Sequence, residues 1–142
     1  MIRNAVQQDA KDLAQLMETL GYPTTSIEME RRLAKILQDD IYHTFVYEED
    51  DRLQGMIGFV FNVAYHTDDP HLRVIAFSVR ETCQGQGIGR KLMEQTERWG
   101  QQHGANMIVL NSGNRSERSD AHQIYHHLGF GGTATGFYKK IH

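Results

Sequence analysis

The chain has 142 residues, enough for one domain around one core, and 39% of them are apolar. A formal net charge of −3 gives no reason to expect a nucleic-acid partner, and no apolar run approaches the ~20 residues of a membrane helix. A single cysteine, Cys83, excludes an internal disulfide framework, and the opening Met1-Ile2-Arg3-Asn4-Ala5 lacks the apolar stretch of a secretory signal, so a cytoplasmic protein without a membrane partner is expected.

Residues 2–6 read as a short strand. Asp9 begins a helix whose apolar face is Leu13, Leu16, Met17 and Leu20. Gly21-Tyr22-Pro23 breaks it. Thr25 or Ser26 is placed to cap a second helix, with Ile27, Met29, Leu33, Ile36 and Leu37 inward. Residues 42–47 are β-branched or aromatic and read as a strand. Glu48-Glu49-Asp50-Asp51 is a solvated hairpin turn, 53–65 a long strand, 66–70 a turn, and 72–79 another strand. A helix follows with Ile88, Leu92, Met93 and Trp99 on one side, ending near Gly104. Residues 105–110 give a strand, 111–120 a polar loop, and 121–128 a helix stopped by Gly129. One or two last strands are expected over 130–141. Antiparallel strands first and βαβ-like units later predict an α/β, mixed sheet with helices on both faces, in a single domain over 1–142.

The most informative join lies between the 72–79 strand and the helix after it, at Gln84-Gly85-Gln86-Gly87-Ile88-Gly89-Arg90-Lys91. Glycines let the backbone turn tightly and present bare N–H groups to oxygens. The helix start adds unpaired N–H donors and about half a positive charge. A phosphate-bearing ligand fits there; the plain alternative is a tight connection with no ligand. A Walker loop is excluded, because Gly89 is followed by Arg90 and Lys91 rather than Lys and Ser/Thr. A dinucleotide fingerprint is excluded, because the third glycine comes one residue too early and the loop sits past mid-chain.

A second motif, Ala121-His122-Gln123-Ile124-Tyr125-His126-His127-Leu128-Gly129-Phe130, completes a pattern. Together with Gln84 to Gly89 and the opening residues Ile2, Arg3, Ala5 and Asp9, it resembles the GCN5-related N-acetyltransferases over essentially the whole chain. That resemblance implies a mostly antiparallel mixed sheet flanked by helices, with splayed central strands. It implies acetyl-CoA as acyl donor, no metal, and an amine acceptor that is a small molecule or a protein. It implies pyrophosphate on Gln84, Gly85, Gln86, Gly87, Ile88 and Gly89, and the pantetheine arm along Phe77, Ser78 and Val79. The Val79 N–H would face the thioester carbonyl, and Tyr125 would be the general acid that protonates the leaving thiolate. Arg90 and Lys91 either meet the cofactor's 3′-phosphate or form a solvated helix face; Arg118 or Asn114 is expected to line the cofactor cleft.

The chain departs from the family where many members carry a fourth-strand glutamate as base. Arg73 and Ile75 stand at the nearby positions. His71 or a water chain is left to take the acceptor's proton. His122 and His126 have zinc-compatible spacing, but Gln123 stands where a zinc-protease helix needs glutamate. A different acyl group, a non-catalytic CoA-binding module and a homodimer all remain compatible with the sequence.

Overall fold

The protein is described by a computed structural model covering residues 1–111, 123, 125–132 and 136–141. They fall into two compact units, Met1–Leu110 and Asn111–His142.

The first unit runs β1 (Ile2–Asn4), α1 (Ala10–Leu20), α2 (Ser26–Gln38), β2 (Tyr42–Glu49), β3 (Arg52–Asn62), β4 (His71–Val79), α3 (Ile88–Gln102) and β5 (Ile108–Leu110). The sheet has the order β1-β2-β3-β4-β5. All neighbours are antiparallel except β4 and β5, which are parallel and joined by α3. The mixed sheet expected from the sequence is therefore present.

Local chemistry explains the joints. Arg3 donates to both carboxylate oxygens of Asp9, at 2.9 Å each, and to Glu48 at 3.0 Å. The chain opening is thereby clamped to β2. Burial pushes the Asp9 carboxyl up, but hydrogen bonds from Arg3 and the Val6 N–H outweigh it and hold the group below its ordinary range. Thr25 caps α2 in a reciprocal box with Glu28, whose carboxylate accepts from the Thr25 N–H. Asp50 and Asp51, both at positive φ, form the tight β2–β3 turn.

Alternation along the strands separates two apolar layers. Leu13, Leu16, Met29 and Leu33 of α1 and α2 pack with Val46 and Met56 on one face. On the other, α3 lies so close that a Cβ on Gly55 would stand 3.0 Å from Ile88 and 3.1 Å from Leu92. Trp99 of α3 packs edge-on against Phe59 and lies between His43 and His103, with ring centroids 4.3 and 3.8 Å away.

Four expectations need correction. Ile27 is 74% and Leu37 41% exposed. At about 100° per residue, Ile27 falls nearly opposite Met29 on α2, and Leu37 at the edge of its buried stripe. β3 stops at Asn62, before Val63 and Tyr65, which are exposed with no face to pack on. β5 spans only Ile108–Leu110, because the Gly104 turn that ends α3 takes up the residues before it. Residues 130–132 and 136–141 carry no strand, and Phe137, Tyr138 and Ile141 there are exposed.

Burial, and then repulsion from His103, pushes the His43 imidazole below its usual range. The unfolded chain binds this proton more readily than the folded one, so stability is full above about pH 6.5 and declines as pH falls below it. Urea midpoints measured between pH 7.5 and 5 are expected to drop, and His43→Gln to drop less.

Candidate active site

The glycine loop leaves β4 through a 3-10 turn at Glu81–Cys83 and enters α3 at Gly87. Gly85 and Gly87 both take left-handed backbone, at φ 82 and 81°. A Cβ on either would meet nothing within 4 Å, so the loop leaves open space above its backbone. No side chain caps α3, and its first intrahelical bond runs from the Lys91 N–H to the Gly87 carbonyl. The N–H groups of Ile88, Gly89 and Arg90 therefore precede the helical ladder and point outward with the helix dipole behind them. Gln84, Gly85, Gln86 and Gly87 are exposed, while Ile88 is buried against the sheet. Gln84 donates from Nε2 to the Val79 carbonyl at 3.1 Å, tying the loop to the strand end. Arg90 is exposed; Lys91 leans over the Tyr47 ring, 5.6 Å from its centroid.

A β-bulge in β4 sets what lies beside this loop. Gly58 pairs with Ala76, yet Phe59 pairs with Val74, so Ile75 is the extra residue. Before the bulge, the Leu72 N–H donates to Met107 at the β5 edge. After it, the phase is reversed. The Arg80 N–H donates to the Gln54 carbonyl of β3, which makes Val79 opposite Gly55 a non-bonded pair. The main-chain groups of Phe77 and Val79 thus turn away from β3, toward the β5 side. Among the described residues, β5 pairs with β4 only as far as Val74. The sheet is split there, and the split begins where α3 begins: a Cβ on Gly89 would sit 3.4 Å from the Phe77 ring and 3.7 Å from Val79.

Ser78 does not share that outlook. The ladder turns its main chain toward β3, and its buried hydroxyl donates to the Leu16 carbonyl at 2.8 Å. Its place on the pantetheine arm is corrected to one in the core. His71 stands at the other end of β4, roughly 25 Å from Val79 at ~3.3 Å per residue, and is not brought to the split. A cleft of about 230 Å³ opens on the opposite face, between α1, α2 and strands β2 to β4. Ile75, the bulge residue, is at its edge and half exposed.

A model described as the acetyltransferase (GNAT) family matches residues 10–130. The chain belongs to that family. It is similar to a solved GNAT family acetyltransferase of Staphylococcus aureus, with 25% identity, TM-score 0.85, and coverage of 99% of this chain and 98% of the other. The glucosamine-6-phosphate N-acetyltransferase of Arabidopsis thaliana shares the fold at 18% identity, TM-score 0.82, covering 100% and 98%. So does an aminoglycoside acetyltransferase from an uncultured soil metagenomic sample, solved with sisomicin, at 18% identity and TM-score 0.80, covering 100% and 96%. No curated protein matches.

In this acetyltransferase, Tyr125 belongs to the second unit. Residues 125–127 are helical, and the helix ends in paired bonds: Gly129 N–H to the His126 carbonyl, and Phe130 N–H to the Tyr125 carbonyl. Gly129 is left-handed at φ 95°, and Phe130 meets the Tyr125 ring edge-on at 6.2 Å. This is a Schellman cap with its apolar contact. It explains the Tyr125-His126-His127-Leu128-Gly129-Phe130 spacing as a device that fixes Tyr125. Asn114, Arg118 and His122 lie outside the described residues. Among those described, no three His, Cys, Asp or Glu side chains come together as metal ligands, and no helix is long and apolar enough to cross a membrane. Cys83 is half-buried at the 3-10 turn, 3.8 Å from the Thr82 hydroxyl.

One positioning residue had no sequence signal beyond following a strand. Arg80 is buried, with Nε and Nη2 on the Leu53 carbonyl at 3.0 and 2.8 Å and Nη1 on Gln15 at 2.8 Å. Burial, and then the nearby Arg52, lowers its pKa. The cation locks the β4 terminus to β3 immediately after Val79.

Because a Cβ at φ 95° is strained even in open space, Gly129→Ala should destabilise the protein by about 1 kcal/mol in urea unfolding. Gly131→Ala, also open but without left-handed backbone, should leave stability unchanged.

Proposed function

We propose that the protein moves the acetyl group of acetyl-CoA to a primary amine by direct attack. The observation that carries this reading is the bulge at Ile75. It turns post-bulge N–H groups into a split that borders an open glycine loop at a helix start. A pyrophosphate fits that loop, because its oxygens match the outward N–H groups and no side chain occupies the space above Gly85 and Gly87. The pantetheine arm needs strand-like partners, and the outward-turned Val79 N–H supports a place for it along β4. The thioester supplies an acyl carbon activated toward amines.

The residues then divide the work. The Val79 N–H donates to the thioester oxygen as charge gathers there. The acceptor nitrogen forms its bond to the acyl carbon, and the carbon–sulfur bond breaks. Tyr125 gives its phenolic proton to the departing sulfur, a step open to a phenol because phenols are ordinarily protonated at neutral pH. The acceptor's own proton goes to water, since His71 lies at the far end of the strand and Arg73 and Ile75 cannot accept it.

Two experiments test these roles. Gly87→Glu puts a side chain and a negative charge into the loop, and calorimetry on the folded variant should find acetyl-CoA binding nearly abolished. Tyr125→Phe should keep that affinity and lower turnover by roughly 10²-fold. Native affinity in the first, or native turnover in the second, removes that residue from its role.

The water route also fixes a pH profile. kcat/KM should climb toward alkaline pH as the acceptor ammonium deprotonates, near pKa ~10 for a lysine-like amine. His71→Ala should trace the same curve. An inflection near neutral pH that vanishes in this variant would restore His71 as the base.

A further inference from the structure

We infer that the acceptor is a monoamine carried on an apolar body, and that the site disfavours polycations. This rests on the acetyl-transfer reading above and gives its acceptor a chemical class.

The cleft of about 230 Å³ exists because the sheet beneath α1 and α2 is bare at one level. Thr44 pairs with Gly58, and Gly58 with Ala76, so three adjacent strands present small side chains in one row. The nearest atoms to a Cβ on Gly58 would belong to Met56, Ala76 and Thr44, at 3.7 to 3.9 Å, ordinary contact distances. The walls come from Leu13, Met17, Met29 and Leu33, with Tyr22 at one side. Such a volume is small, close to the lower end of ligand pockets at ~300 Å³, and suits one short apolar group rather than a multi-ring sugar.

Charge points the same way. Among the described residues no aspartate or glutamate lines the cleft; its charged or titratable groups are Arg32, His43 and two tyrosines, Tyr22 and Tyr42. His43 stacks its ring on Phe59 and Trp99 of the other layer. Arg32 is held by the Thr24 hydroxyl at 2.8 Å. Arg32 shares the Thr24 hydroxyl with Glu28, so a polyamine or aminoglycoside would bring several ammonium groups to a described lining that offers them no carboxylate of its own. A monoamine meets the reverse situation. The apolar lining favours the neutral form of the amine, the form that attacks. The cleft thereby lessens the need for the fourth-strand carboxylate that this chain lacks. Ile75 joins the two sites, since the bulge that opens the split also stands at the edge of the cleft.

The test uses the whole protein with its methionine methyls labelled, titrated with phenethylamine and with spermidine at millimolar concentration. Met17, Met29 and Met56 line the cleft, whereas Met93 is buried under α3. Phenethylamine should shift the first three signals and leave Met93 in place; spermidine should shift none. Turnover should favour phenethylamine by at least about tenfold in kcat/KM, and Gly58→Val should cut that value by about tenfold or more while acetyl-CoA affinity stays native. If spermidine is acetylated in preference, the acetyltransferase reading stands and this inference fails. If phenethylamine shifts no cleft methyl, the inference fails whatever the enzyme turns over. If phenethylamine shifts the cleft methyls and no amine releases thiol from acetyl-CoA, the cleft chemistry stands and the catalytic reading fails.

Discussion

One extra residue in one strand organises this molecule. Antiparallel pairing alternates main-chain groups between neighbours, so inserting Ile75 reverses the direction of every donor after it. Without the bulge, Val79 would spend its N–H on β3, as Ser78 does now. With it, the far half of β4 faces a side where β5 no longer pairs. A sheet ordinarily cannot offer free donors in its interior, because unpaired buried groups are costly. A gap between β4 and β5, filled by a ligand, is an arrangement that satisfies both demands.

The rest of the first unit holds that split in place. α3 packs on β3 and β4 beside it, since glycines at 55 and 89 let the helix approach these strands to van der Waals contact. The helix start is thereby fixed beside Phe77 and Val79, and the dipole end and the strand donors border one groove. Arg80 secures the strand terminus through a buried, hydrogen-bonded cation. Within the second unit, the Gly129 cap fixes Tyr125 at a helix end. Three helices close on left-handed glycines: Gly21 after α1, Gly104 after α3, and Gly129 after Tyr125.

Much of this could be read from residue order. The helices α1 and α3 announce themselves through apolar spacing, and the Gln84 to Gly89 loop through glycines at a strand-to-helix join. Ile27 and Leu37 misled because α2 buries a narrow stripe against the sheet, and hydropathy alone does not say how wide a stripe the neighbours can cover. The position of the bulge left no mark, because Ile75 continues the apolar stretch Val74-Ile75-Ala76-Phe77 and its extra length exists only relative to β3. Ser78 was misassigned for the same reason, since it sits one position out of phase with its outward neighbours. The cleft beneath α1 and α2 was equally silent. Thr44, Gly58 and Ala76 are distant in the chain, and only register aligns them into a bare row.

The alternating direction of the β4 donors is the claim on which the functional account stands. It is tested most directly by amide NMR of the full chain titrated with coenzyme A. The account predicts large shifts for the Val79 amide and for Gly85 to Gly89, with Ala76 and Ser78 amides little changed because they remain bonded within the sheet. Equal movement of Ser78 and Val79, or no response at Val79 while coenzyme A binds, would contradict it.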